Sequence, residues 1–223
     1  MHTAAPREAR EDLELVIGDK NLSSWSLRPW LVLAHLDVPF TETLVPLYDP
    51  AFDARLAGYS PTGKVPALRD GDLWLWESIA ICEHLAERFP ERHLWPGDLR
   101  ARSVARAVVA EMHAGFAGLR RDCSMDICGR HATPALPDET REDIARVREL
   151  WTDCRARFGA GGPFLFGRFG IADAFYAPVV TRFVSYSIPV GPDERAYMDA
   201  VLDLPAMKRW VAAARAEVAA KES

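Results

Sequence analysis

The chain has 223 residues, 49% hydrophobic and 26% charged, which suits one large or two modest globular domains. A net charge of −5 argues against a general nucleic-acid binder, and no apolar run approaches the roughly 20 residues that span a bilayer. Four cysteines without a CxxC pair and six scattered histidines offer neither a disulfide framework nor metal-ligand spacing, so a soluble, cytoplasmic protein with reduced thiols and no metal is expected.

Met1 to Asp12 is polar and charged, unlike a secretion signal. Leu13 to Ile17 then reads as a strand closed by Gly18-Asp19. Arg28 to Leu36 has helical spacing, and Pro29 is expected in its first turn, because a deeper proline removes a hydrogen bond and clashes. That places the start near Ser26 as N-cap. Phe40 to Val45 is a second strand, parallel to the first. Ala51 to Leu56 is a short helix. A loop over Tyr59 to Lys64 leads to a hairpin, Val65 to Arg69 and Leu73 to Leu75, turning at Asp70-Gly71. Glu77 to Phe89 is an amphipathic helix stopped by Pro90.

Strand signals then largely vanish. Leu99 to about Met125 reads as one long helix, on which Met112, Phe116 and Arg120 would share a face. Further helices are expected over Asp138 to Phe158, Ile171 to Phe183, Glu194 to Leu202 and Pro205 to Ala220, the second of these buried. The seam near Pro90 to Gly97 divides the chain into residues 12–91 and 97–223.

Three local features carry chemistry. Asn21-Leu22-Ser23-Ser24-Trp25-Ser26 lies at the start of the first helix, where free N–H groups and hydroxyls favour negative charge or simply cap the helix. Val65-Pro66 enters a strand; a cis bond there would turn the Val65 backbone outward for pairing with an extended ligand, and an ordinary trans bond would not. Glu77-Ser78 opens a helix, where it can cap the helix or hold a carboxylate and an ammonium.

In this order, Ser23-Ser24-Trp25-Ser26 with Arg28, Gly63-Lys64-Val65-Pro66-Ala67-Leu68 and Trp76-Glu77-Ser78-Ile79-Ala80-Ile81 resemble the glutathione transferase superfamily, in its serine-type, zeta-like branch. The resemblance runs from about Leu13 to Ala219. It implies an α/β thioredoxin-like N-terminal domain that holds glutathione and an all-α C-terminal domain that adds the electrophile site. Ser23, with Ser24 in reserve, would stabilise the thiolate. Val65 with Pro66 would bind the peptide backbone, Glu77 and Ser78 the γ-glutamyl end, and Lys64 the glycine carboxylate. Glutathione is the implied co-substrate, and a homodimer the implied assembly. Gly167 to Asp173 is similar to the family's capping motif, with Gly170 where a hydroxyl residue is usual, so that only the Asp173 half of the reciprocal cap remains. Trp25 stands where isomerases of the zeta branch carry cysteine. The alternatives to transfer are a maleylacetoacetate-type isomerase and a glutathione-fold protein that binds without turnover.

Overall fold

The structure, a computed structural model, describes residues 13–222; the Met1–Asp12 segment, expected not to be a secretion signal, lies outside them. Strands β1 (Leu13–Ile17), β2 (Thr41–Leu44), β3 (Ala67–Asp70) and β4 (Leu73–Trp76) form one sheet in the order β2-β1-β3-β4. β1 runs parallel to β2 and antiparallel to β3, and helix α1 (Ser24–His35) makes the crossover that a parallel pair requires. Alternate β1 side chains serve opposite faces. Leu13, Leu15 and Ile17 enter the main core with α1 and α3 (Ser78–Arg88), while Val16 packs with Val45, Ala67 and Leu56 of α2 (Phe52–Leu56). In the β3–β4 hairpin the positive φ of 61° falls on Gly71, the first of two loop residues, as in a type II′ turn.

α1 begins three residues earlier than expected, its N-cap being Ser23 and not Ser26, so Pro29 lies in its second turn. The missing Pro29 N–H leaves the Trp25 carbonyl without its helical donor. Ser26 is therefore not the N-cap: its Oγ accepts the Gly18 N–H at 3.1 Å and ties the helix to the end of β1. Ser23 holds the N-cap position without a capping hydrogen bond from its side chain.

Helices follow from Leu99. The long helix expected there is two: α4 (Leu99–Ala114) and α5 (Ala117–Asp122). Gly115 ends the first, Phe116 turns left-handed at φ 60°, and Arg120 donates to the carbonyls of Met112 and Gly115 that the break releases. Met112, Phe116 and Arg120 thus do not share one helix face. α6 (Asp138–Phe158), α7 (Ile171–Ser185), α8 (Pro192–Asp203) and α9 (Pro205–Glu222) complete the chain. α7 is buried all round apart from the half-buried Val184, as befits the central helix of this half, and it packs against both α1 and α4.

Asp173 caps α7: Oδ2 accepts from the Gly170 N–H and Oδ1 from the Leu165 N–H, both at 3.0 Å. A Cβ on Gly170 would lie 2.7 Å from the Leu94 carbonyl oxygen, so the position has no room for the family's hydroxyl residue. Burial pushes the Asp173 carboxyl up to about 7, against the pull of those two N–H groups.

Candidate functional site

The loop between β1 and α1 is held from two sides by the helical half. Asn21 Nδ2 donates to Asp126 Oδ1 at 2.9 Å, and Asn21 Oδ1 accepts from the Cys128 N–H at 2.8 Å. From α9, Glu217 Oε2 accepts the Lys20 N–H at 2.8 Å and Trp210 Nε1 donates to the Lys20 carbonyl at 2.9 Å. Ser23 and Ser24, at the end of this loop, are both buried. Ser23 Oγ donates to Ser26 Oγ at 2.7 Å. Ser24 Oγ makes no hydrogen bond to another described residue.

A cavity of about 400 Å³ opens beside them, lined by Trp25, Thr62, Lys64, Val65, Pro66, Glu77 and Ser78. Five of the residues expected to hold glutathione meet in this wall; Ser23 and Ser24 do not form part of it, and their neighbour Trp25 does. Val65–Pro66 is cis, as the strand-entry reading required. Neither the N–H nor the C=O of Val65 bonds to another backbone group among the described residues, so both remain available for an extended ligand. Glu77 is exposed and carries φ 67° and ψ 120°, an uncommon conformation for a side-chain-bearing residue and one that concentrates at binding sites. Ser78, the first residue of α3, is buried beside the free N–H groups of the helix start, and its Oγ lies 3.4 Å from Arg28 Nη1.

Trp25 joins this cavity to a second group of side chains. The guanidinium carbons of Arg28 and Arg120 lie 4.0 and 4.8 Å from its ring centroid, and the His113 ring meets it edge-on at 5.2 Å. Burial, with Arg28 and Arg120 nearby, lowers the His113 pKa despite Glu77 at 3.7 Å, which keeps the imidazole neutral near pH 7. Arg182, on the buried α7, adds its charge to the group, acting on Arg28 and itself acted on by Arg120; the sequence reading passed over it, although a lone arginine in a mainly apolar helix is a visible signal.

The sequence pattern of the glutathione S-transferase N-terminal domain matches residues 22–88, and that of the C-terminal domain matches residues 137–213. The chain belongs to the glutathione S-transferase family. Glutathione S-transferase Z1 of Arabidopsis thaliana is 29% identical over 176 residues, 76% of each chain. Glutathione S-transferase GstB of Escherichia coli K12 is 25% identical over 209 residues, 88% of this chain and 97% of its own. Among solved structures, a glutathione transferase homolog from Burkholderia with bound glutathione superposes with a TM-score of 0.68 at 22% identity, covering 91% of this chain and 97% of that one. This transferase therefore carries the expected architecture, a small mixed sheet followed by helices. Among its described residues no helix is long and apolar enough to cross a membrane.

Proposed function

We infer that the chain binds glutathione in the Val65 cavity and transfers it to a small electrophile, as a cytoplasmic enzyme. The carrying observation is the convergence of Lys64, Val65, Pro66, Glu77 and Ser78, from a loop, a strand entry and a helix start, on one cavity of about 400 Å³. Glutathione would lie extended, its cysteinyl backbone pairing with Val65. The N-terminus of α3 and the Ser78 hydroxyl suit the γ-glutamyl carboxylate, Glu77 suits its ammonium, and the exposed Lys64 suits the glycine carboxylate.

The thiol then falls toward the start of α1. There Ser23, or Ser24 after a small shift of the loop, would donate to the thiolate, while the helix N-terminus lowers its pKa. The chain supplies orientation and charge stabilisation; the nucleophile belongs to glutathione. On this reading residues 12–91 form the glutathione domain and residues 97–223 supply the electrophile wall. A homodimer fits the exposed apolar side chains Leu73, Trp76 and Leu99.

The test is conjugation and cis–trans isomerisation by the purified protein, with and without glutathione. Glutathione-dependent conjugation is expected. Isomerisation without conjugation, or glutathione binding without either reaction, would replace the transfer reading.

A further inference from the structure

Arg28 and Arg182 are almost wholly buried, 0% and 3% exposed, yet four of their nitrogens have no hydrogen-bond partner: Nε and Nη2 of Arg28, Nε and Nη1 of Arg182. Neither they nor Arg120 form an ion pair with a carboxylate among the described residues. The groups around Arg28 that could carry negative charge are the Cys82 thiol and the Tyr176 phenol, and burial pushes both up, so they stay neutral. Cys123, beside Arg182, is raised in the same way. Asp143 is felt by Arg120, but its Oδ2 accepts the Leu119 N–H. His113 adds a buried Nδ1 without a partner.

Guanidinium groups stay charged in proteins, and an unpaired buried charge opposes folding strongly. Three of them here influence one another: the Arg28 pKa is depressed by burial first, then by Arg120 and by Arg182. A cluster of that sign, with unused planar donors, is complementary to a bound anion, and a guanidinium matches a carboxylate bidentately. Arg120 and His113, both half-buried, form its accessible edge beside Trp25, which also lines the glutathione cavity.

We propose that Arg28, Arg120 and Arg182 form a receptor for a carboxylate, and that the electrophile of this transferase carries one. The assignment to an electrophile rests on the glutathione-transfer reading; the receptor itself does not.

Thermal melts at fixed ionic strength, with benzoate and with neutral benzamide as probes, test the receptor. Benzoate should raise the midpoint, benzamide should not, and Arg120→Gln and Arg182→Met should each abolish the shift. Without ligand, Arg182→Met should melt no lower than the parent, because it removes an uncompensated charge. For the electrophile, the ratio of kcat/KM for 4-(chloromethyl)benzoate over benzyl chloride should be about 10- to 100-fold in the parent and fall toward one in both variants, the scale of a lost hydrogen bond to a charged group. No benzoate-specific shift, or a shift that survives both substitutions, overturns the receptor. A loss of glutathione affinity in the variants that matches the loss of the benzoate shift overturns the assignment to the electrophile, since the receptor then holds one of glutathione's own carboxylates. An arginine-dependent benzoate shift in a protein that conjugates neither compound upholds the receptor and contradicts the transfer reading.

Discussion

Ser23 Oγ donates to Ser26 Oγ at 2.7 Å, and Ser26 Oγ accepts the Gly18 N–H at 3.1 Å. Donation from Ser23 to a thiolate requires its hydroxyl to rotate, and Ser26 can then donate back, so neither oxygen loses its partner. A hydrogen bond to a charged group contributes about 1.5–3 kcal/mol, or roughly one to two pKa units. Ser23→Ala should raise the pKa of bound glutathione by that amount with affinity nearly intact, and Ser24→Ala should do less. Ultraviolet thiolate titration of the complex reads this directly. The reverse order assigns the role to Ser24, and no change in either variant removes the serines from thiolate stabilisation.

Asn21 connects the loop that carries Ser23 to Asp126 and Cys128 through both ends of its amide. Asn21→Ala leaves the Cys128 N–H without its partner and should destabilise the fold by about 1–3 kcal/mol. It should also lower kcat more than glutathione affinity, because the Val65 and Ser78 contacts are untouched. Denaturation with steady-state kinetics checks both; equal losses in kcat and affinity would show that the loop supports binding rather than thiol placement.

Gly170→Ser restores the hydroxyl of the family's capping motif, yet it should destabilise this chain. The added Cβ would stand 2.7 Å from the Leu94 carbonyl oxygen, whose backbone also accepts from Ile171 at 3.1 Å. A raised unfolding midpoint would contradict the steric account.

Asp173→Ala leaves the buried Leu165 N–H and the half-buried Gly170 N–H without their acceptor, at roughly 1–3 kcal/mol for the buried one and less for the other. The pH dependence has the opposite sign from that of a salt-bridged carboxylate. The folded-state value of about 7 exceeds the unfolded value of about 3.9, so this group's stabilisation is full below pH ~4 and is lost as pH rises through ~7. Urea midpoints between those limits should therefore fall less steeply with pH in Asp173→Asn. An unchanged slope would remove Asp173 as its source.

Most of the architecture was legible in the sequence because its signals were local. The apolar run of β1, the Asp70-Gly71 turn and the proline stop after Phe89 each depend on adjacent residues. The break between α4 and α5 was not legible: Gly115 alone is tolerated within a helix, and the carbonyls that the left-handed Phe116 releases are held by the Arg120 side chain, five residues past Gly115. Pro29 misled for a related reason. Its ring favours the first turn of a helix, but burial of α1 against α7 and the sheet carries one missing hydrogen bond. Lys64, Val65, Pro66, Glu77 and Ser78 were found through motif order, whereas the electrostatic influence of Arg182 on Arg28 depends on packing between α1 and α7, which no local pattern encodes.

Amide chemical-shift mapping during a glutathione titration tests the central claim most directly. Pairing of the peptide with the free Val65 backbone predicts saturable shifts centred on the amides of Val65, Glu77 and Ser78, with smaller ones at Ser23 and Ser24. Shifts absent from Val65 and Ser78 at saturating glutathione, or centred instead on the cavity bounded by Arg130, Lys208 and Arg215, would contradict it.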